Sequence, residues 1–275
     1  MLGADSADVV PTTGGGGVSR ETPPPPVVVP AVAADVFGPH LVQAERYAAL
    51  LGTDGVVRGL IGPREVPRLW ERHLLNSAAL RHVVPEATHV VDIGSGAGLP
   101  GIPLALARPD LRVTLVEPLE RRYHFLREAV AALDLADRCH VVRARAEELA
   151  GELAAPVVTA RAVAALDKLA GWALPLTSTD GAVLAIKGRT AAQEIETAWP
   201  TLRRWGVPEE PEVLTCPSGI DGEDLVVVRV LRGTGPLRTS TQAGRGRQPR
   251  QAKAAGRGAS RTGGRRGRGG GAARG

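Results

Sequence analysis

Two patterns of hydrophobic positions alternate along residues 36–232. Short uninterrupted apolar runs are typical of strands buried inside a sheet, whereas an apolar residue at every third or fourth position is typical of a helix with one buried face. The runs predict strands at residues 89–93, 113–117, 139–142, 157–160, 182–187, 212–214 and 225–231. The periodic segments predict helices at residues 39–51, 65–81, 99–107, 120–133, 147–153, 165–174 and 191–202.

The order of these elements predicts the fold class. Two helical segments come first, and strands and helices then follow one another in turn, which predicts an α/β sandwich around a mostly parallel sheet. Only a glycine-containing loop separates the last two strands, so they are expected to pair antiparallel at one edge. The sequence therefore predicts a seven-stranded, mostly parallel sheet with an antiparallel edge and N-terminal helices.

The two ends of the chain differ from this central domain in composition. Residues 1–35 are rich in Gly, Pro and Ala, and residues 233–275 consist largely of Gly and Arg. Neither segment has sustained periodicity, so a disordered leader and a disordered basic tail are predicted. The whole chain carries a formal charge of +5 and the tail alone carries +11, which leaves −6 for the rest. The tail is either an arm that binds RNA backbone without sequence preference or low-complexity drift.

Several classes of protein are disfavoured by composition. No apolar run approaches the roughly 20 residues that a membrane-spanning helix needs. The only two cysteines, Cys139 and Cys216, are far apart and have no histidine nearby, which supports neither a disulfide framework nor a zinc site. We therefore expect a cytoplasmic protein without a metal centre.

The most informative segment lies between residues 90 and 101. An apolar run closes with Asp92 and leads into Gly94, Gly96, Gly98 and Gly101. Glycines at this spacing allow a tight turn after a strand and let a nucleotide approach bare main chain. The next predicted strand ends in Glu117, at about the distance along the chain expected of a carboxylate that holds ribose hydroxyls. Together these features indicate an adenosine-containing cofactor.

The spacing of the glycines helps to distinguish between two classes of adenosine-containing cofactor. A dinucleotide-binding loop has the form GxGxxG and opens directly into a helix. Here glycine recurs at every second residue, and Pro100 and Pro103 alter the entry into the helix. The form DxGxGxG resembles class I S-adenosylmethionine-dependent methyltransferases, in which the carboxylate of Glu117 would hold the ribose. An NAD-dependent oxidoreductase remains the alternative.

Further motifs resemble one family of methyltransferases over about residues 37–232. They are the segments 71–77, 91–103, 108–109, 122–126, 145–147, 159–162 and 184–188. In order and spacing they are similar to the RsmG family, also called glucose-inhibited division protein B. That resemblance implies a class I Rossmann-like fold and transfer of a methyl group from S-adenosylmethionine to guanine N7 in 16S rRNA of the small ribosomal subunit. A monomer is expected.

The resemblance also implies which residues form the site. The cofactor is expected to contact Gly94, Gly96, Leu99, Glu117, Ala146, Glu147 and Arg161. Candidates for positioning RNA or the base are Arg145, Arg161, Lys187 and His73.

The predicted strands give some of these candidates independent support. Arg161 and Lys187 end the fourth and fifth predicted strands, where ligands of parallel sheets bind. A structural ion pair is the alternative reading for Arg161. His73 shares a predicted helical face with Leu69 and Leu80, so a core histidine is as good an explanation as an active-site one.

Two departures from the family pattern are apparent. Asn76 stands where the family commonly has Asp, which leaves the role of this position unassigned, and the leader and the tail have no family counterpart. An RNA-binding ribosome-assembly factor without enzymatic activity, in which the glycine loop would be vestigial, is the second alternative.

Overall fold

The computed structural model describes residues 28–235 and 237, and its centre is a seven-stranded sheet. The strands lie in the order β3-β2-β1-β4-β5-β7-β6. They are β1 (His89–Ile93), β2 (Arg112–Val116), β3 (Cys139–Val142), β4 (Ala155–Arg161), β5 (Thr177–Lys187), β6 (Glu212–Cys216) and β7 (Leu225–Leu231). Strands β1 to β5 pair in parallel, and β7 pairs antiparallel with both β5 and β6. The predicted fold class is confirmed.

Helices cover both faces of this sheet. They are α1 (Val32–Phe37), α2 (Leu41–Leu50), α3 (Asn76–Ala78), α4 (Gly101–Ala107), α5 (Glu120–Ala132), α6 (Leu166–Ala173) and α7 (Ala191–Trp205). Because side chains alternate across a strand, Val90 and Leu184 face the layer of α1, α2, α4 and α5, whereas the adjacent Val91 and Val183 face α6 and α7. The two hydrophobic clusters are the two halves of one three-layer sandwich.

The segment before the sheet differs from its prediction. Instead of one helix over residues 65–81, the chain forms a 3₁₀ turn at Pro63–Arg68, a π-helical stretch at Leu69–Leu75, helix α3 and a second 3₁₀ turn at Ala79–His82. Pro67 lies inside the first turn, and its missing N–H prevents a regular helix there.

The boundary of the predicted leader also needs a correction. Helix α1 begins at Val32, and Ala33 is completely buried, so the ordered chain starts before residue 36. The remainder of the leader up to residue 27, and almost all of the basic tail, lie outside the described residues.

Two other elements depart by four or five residues from their predicted bounds, and the rest differ by smaller amounts. The segment at residues 147–153 contains only a 3₁₀ turn at Ala146–Leu149. Strand β5 begins at Thr177, five residues early, although Asp180 and Gly181 have the composition of a turn. Asp180 has a positive φ of 59°, and a Cβ on Gly181 would lie 2.6 Å from the Pro156 carbonyl oxygen. This irregular stretch still pairs, since Ala155 is in register with Thr177 on the neighbouring strand.

Among the helices of the described part of the chain, none is both long and apolar enough to cross a membrane.

Candidate active site

The glycine loop lies directly after β1, at the carboxyl edge of the sheet. Gly94, Gly96 and Gly98 have positive φ values of 66°, 60° and 100°, which other residues rarely adopt. The N–H groups of Gly94 and Ser95 both donate to the Val116 carbonyl oxygen, at 2.9 and 3.1 Å. These bonds hold the loop between the ends of β1 and β2.

Gly101 marks the point where this loop enters α4. A Cβ at this position would lie 2.3 Å from Leu115 Cδ2 and 2.9 Å from Asp92 Oδ2. The absence of a side chain lets the Gly101 N–H donate to Asp92 Oδ2 at 3.1 Å. Asp92 Oδ1 is buried and has no hydrogen-bond partner within the described residues. Burial raises the pKa of Asp92 to about 7, although the Gly101 N–H acts in the opposite direction.

Glu117, the residue after β2, is the principal carboxylate of the loop region. Its side chain is buried, with Oε2 accepting the Gly96 N–H and Oε1 accepting the Leu119 N–H, each at 3.0 Å. Arg122 approaches to 3.8 Å and pairs with the carboxylate. A carboxylate offers about four lone-pair positions, so both oxygens keep capacity for ligand hydroxyls.

These elements enclose a cavity of about 660 Å³, here called the loop cavity. Its wall includes Gly94, Gly96, Leu99, Glu117 and Arg145, which were predicted from the sequence. It also includes His73 and Arg161. Ligand pockets for molecules of cofactor size commonly range from about 300 to 1,000 Å³, so the loop cavity has a suitable volume for S-adenosylmethionine.

A second cavity of about 600 Å³, here called the edge cavity, lies beside the first. Both cavities are lined by Arg161, Ala162 and Val163, the residues at the end of β4. Ala162 has a positive φ of 53°, and Val163 packs so close to Gly94 that a Cβ there would meet it at 3.0 Å. This turn therefore forms the partition between the two cavities.

Arg161 connects this partition to the N-terminal segment. Its Nη1 donates to Ser77 Oγ at 2.8 Å, and its Nη2 donates to the Arg72 carbonyl oxygen at 2.8 Å and contacts His73 Nδ1 at 3.2 Å. Burial lowers the pKa of Arg161. Guanidinium has five N–H groups, so donors remain beyond these three contacts.

The same contacts define the state of His73. Because a guanidinium only donates, Nδ1 must be the acceptor, and the proton lies on Nε2, which contacts Glu65 Oε2 at 3.0 Å. Burial and the charge of Arg161 lower the pKa of His73, which favours this neutral form. His73 is thus part of the cavity wall and not an isolated core residue.

Lys187, at the end of β5, has an intramolecular role. Its Nζ donates to the Ala164 carbonyl oxygen at 2.8 Å and to Glu194 Oε2 at 2.7 Å, and only 9% of its side chain is exposed. The ammonium group ties the partition turn to α7.

The remaining predicted residues follow β3. Arg145 is exposed and lines the loop cavity, and Glu148 Oε2 accepts its backbone N–H at 2.9 Å. Ala146 and Glu147 are next in the chain but are not among the residues of the cavity wall. Their predicted contact with the cofactor stays a prediction.

Several site residues were missed by sequence reasoning. Leu60 and Ile61 line the loop cavity from the N-terminal segment. Tyr47 is completely buried and donates to the Ala97 carbonyl oxygen at 2.7 Å, which fixes the outer part of the glycine loop. Their hydrophobic periodicity is that of ordinary core residues, so the sequence held no signal for these positions.

The fold and the site together define a class of protein. A parallel sheet with an antiparallel edge, a glycine cradle after β1 and a buried acid after β2 are those of a class I S-adenosylmethionine-dependent methyltransferase. The cradle fits S-adenosylmethionine, since bare main chain at Gly94 and Gly96 faces a carboxylate that holds the loop and retains lone pairs.

Comparison with known proteins identifies the family. The family model for rRNA small subunit methyltransferase G matches residues 40–204, and the chain belongs to this family. S-Adenosylmethionine is its cofactor.

Curated relatives agree over most of their length. Proteins named ribosomal RNA small subunit methyltransferase G are 61% identical in Kineococcus radiotolerans, over 76% of this chain and 82% of the relative, and 57% identical in a Nocardioides species, over 74% and 81%. The Streptomyces coelicolor relative is 56% identical over 76% of this chain and 87% of its own length. A solved structure of TYW2 from P. horikoshii, in complex with MeSAdo, is 16% identical over 59% of this chain and 64% of that chain, with a TM-score of 0.45.

Proposed function

We propose that this protein transfers a methyl group from S-adenosylmethionine to N7 of a guanine in 16S rRNA of the small ribosomal subunit. The observation that carries this proposal is the junction of the two cavities at Arg161, Ala162 and Val163. The loop cavity holds the cofactor, and the edge cavity receives the base. The family match and the names of the relatives support rRNA as the substrate class.

The chemistry requires little from protein side chains. S-Adenosylmethionine supplies a methyl group on a positively charged sulfur, and guanine N7 has a free lone pair that attacks it without losing a proton. The protein must therefore align the two groups and exclude water, and no general base is required. The polar side chains around the partition turn accordingly have positioning roles.

The cofactor is held by residues at successive strand ends. Gly94 and Gly96 offer main chain, Leu99 packs beside the ligand, and Glu117 accepts ribose hydroxyls. Ala146 and Glu147 follow β3 and contact the adenine, largely through main chain.

The nucleic acid is held by a second group of residues. Arg145 contacts an RNA phosphate, since its side chain is exposed at the rim of the loop cavity. Arg161, which His73 orients, lies beside both the cofactor and the acceptor base. Lys187 acts on the base indirectly, through the partition turn that it anchors.

The physical form of the substrate follows from RNA geometry. In duplex A-form RNA, N7 lies in a deep and narrow groove that side chains do not reach. The target guanine is therefore in an accessible loop or in a partly assembled subunit. We further propose that the enzyme acts as a monomer in the cytoplasm, because a single copy of the chain forms both cavities.

Mapping of 7-methylguanosine in 16S rRNA by mass spectrometry tests the proposal. Loss of the gene should abolish one such nucleotide, and its return should restore it. Unchanged 7-methylguanosine would contradict the reaction and favour a non-enzymatic assembly factor. Thermal unfolding with S-adenosylhomocysteine or NADH separately tests the cofactor, and stabilisation by NADH alone would favour an oxidoreductase.

A further inference from the structure

The edge cavity contains two acidic side chains that differ in their hydrogen bonding. Glu194 is paired with Lys187 at 2.7 Å. Asp224 is the residue immediately before β7, and it is exposed. Within the described residues its side chain accepts one hydrogen bond, a long one of 3.4 Å from the Ser218 N–H. Asp224 is thus the carboxylate of this cavity that has capacity for a ligand.

Neighbouring contacts fix the backbone beside Asp224. Asn76 Nδ2 donates to the Glu223 carbonyl oxygen at 3.0 Å, and the Glu223 side chain pairs with Arg68 at 2.8 Å. Only the amide nitrogen of Asn76 can face a carbonyl oxygen in this way. Asn76, whose role the sequence left open, therefore ties the N-terminal segment to the start of β7.

The sheet places Asp224 at a defined distance from the partition turn. Arg161 ends β4 and is in register with Ile186 of β5, and the adjacent Lys187 is in register with Val226 of β7. Asp224 lies two residues before Val226, just past the carboxyl end of β5. Two strand spacings amount to about 10 Å across the sheet, and Asp224 lies three residues, also about 10 Å, beyond the row that Arg161 shares with Val227.

The edge cavity, which both Arg161 and Asp224 line, therefore has room between them for a purine whose N7 points toward the loop cavity. In guanine, N7 and the edge that carries N1–H and the 2-amino group lie on opposite sides of the ring system. One carboxylate can accept both of these hydrogens, as a carboxylate does from two parallel N–H groups of arginine. Adenine has no N–H at N1 and no 2-amino group, so it cannot donate this pair of parallel hydrogen bonds.

We infer that Asp224 is a specificity-determining residue that accepts hydrogen bonds from N1–H and the 2-amino group of the target guanine in the edge cavity. This inference rests on the proposed function, since it assumes a base whose N7 faces the cofactor. In this role the carboxylate of Asp224 distinguishes guanine from adenine and hypoxanthine.

Nucleotide binding to the full-length protein, saturated with S-adenosylhomocysteine, tests the inference by calorimetric titration. The probes are GMP, IMP, which lacks the 2-amino group, and AMP. Hydrogen bonds to a charged acceptor predict that the unmodified protein binds GMP about tenfold more tightly than IMP, and AMP more weakly still. Asp224→Asn should bring the GMP to IMP ratio close to one, and Asp224→Glu should restore part of it.

Asp221→Asn is the matched control, because Asp221 is exposed in the same loop but does not line the edge cavity. It should leave the ratio unchanged. Equal binding of GMP and IMP by the unmodified protein, no measurable GMP binding in the millimolar range, or an unchanged ratio in Asp224→Asn would each overturn the inference. Affinity for S-adenosylhomocysteine in each variant reports whether the fold is intact.

The two proposals fail in different ways. If the unmodified protein methylates no rRNA guanine, the proposed function is wrong whatever nucleotides bind. If rRNA methylation is intact but GMP and IMP bind equally well, only the role of Asp224 is wrong.

Discussion

The buried carboxylate of Glu117 accepts the backbone N–H of Gly96 at 3.0 Å. This contact joins the residue after β2 to the loop after β1, across the boundary between two parallel strands. The acid that lines the loop cavity thus also holds the glycine cradle in place. One side chain therefore both helps to hold the loop and places a carboxylate beside it.

Replacing Glu117 with Gln should weaken cofactor binding. The new NH₂ group would face one of the two backbone N–H donors that the carboxylate now accepts, and the loss of one such bond to a charged group costs about 1–3 kcal/mol. We expect the Kd for S-adenosylhomocysteine, measured by calorimetry, to rise by about ten- to a hundredfold. Glu120→Gln is the control, because Glu120 is exposed and pairs with Arg143 away from the loop. Equal affinity of the two variants would contradict the role of Glu117.

Gly101→Ala should destabilise the fold. A Cβ would lie 2.3 Å from Leu115 Cδ2, and relief of this overlap requires movement of α4 or β2. Overpacking of this kind costs about 1–3 kcal/mol, which denaturant unfolding measures directly. Gly235→Ala is the control, since no atom lies within 4 Å of its Cβ position. A stability equal to that of the unmodified protein would show that the interface of α4 and β2 is looser than its contacts indicate.

Asp92 should make stability depend on pH in the cofactor-free protein. Its pKa is about 7 in the folded state and 3.8 in the reference state, so the folded protein binds this proton more tightly. The resulting stabilisation is complete below pH 3.8 and is lost as the pH rises through 7. Between pH 5 and pH 8 the loss is on the order of a few kcal/mol.

The difference in unfolding free energy between the unmodified protein and Asp92→Asn measures this contribution. It should change between pH 5 and pH 8 in favour of the Asn variant, which carries no titrating group at this position. Parallel pH profiles of the two proteins would show that Asp92 is ionised in the folded state throughout this range.

His73 should titrate below its ordinary value of 6.5, because burial and then the positive charge of Arg161 oppose its protonation. NMR titration of the ring signals, assigned with His73→Gln, measures this pKa. In Arg161→Gln the pKa of His73 should rise, since one of the causes that lower it is removed while the ring stays buried. The same pKa in both proteins would place the guanidinium farther from Nδ1 than 3.2 Å.

Lys187→Met and Glu194→Gln should each reduce stability, and the double variant should lose less than their sum. The pair joins β5 to α7 and is mostly buried on the lysine side, so we expect a coupling energy of about 1 kcal/mol. The control is Arg189→Met, which removes an exposed cation two residues away without a stability change. If Lys187 held RNA directly, Glu194→Gln would strengthen RNA binding and leave stability unaffected.

Local patterns in the sequence are sufficient for the order of strands and helices. The bounds of β1, β3 and β7 agree with the predicted ranges, because an apolar run between polar residues has few alternatives to a buried strand. The N-terminal segment was predicted less well. Its 3₁₀ turn at Pro63–Arg68 and its π-helical stretch at Leu69–Leu75 retain helical periodicity, so the pattern could not distinguish them from one α-helix.

Some residues of the candidate site were likewise predicted from local patterns, and others were not. Gly94, Gly96 and Glu117 were predicted because their spacing follows from one loop and one strand end, both local in sequence. The contacts of Arg161 were not predicted, since Ser77 is 84 positions away and a linear pattern does not show which distant groups meet the guanidinium.

The sequence alone thus determined the α/β fold, the glycine cradle with its acid, and the class of cofactor, because each of these depends on short-range pattern and backbone freedom. Only the tertiary structure decided that Arg161 is held by the N-terminal segment, that Lys187 is paired with Glu194, and that Asp224 remains available beside the partition turn. Those outcomes depend on which charged groups meet when distant segments pack together. Hydrogen-bond partners over such distances are selected by the packed sheet and its helices, and a linear pattern does not contain them.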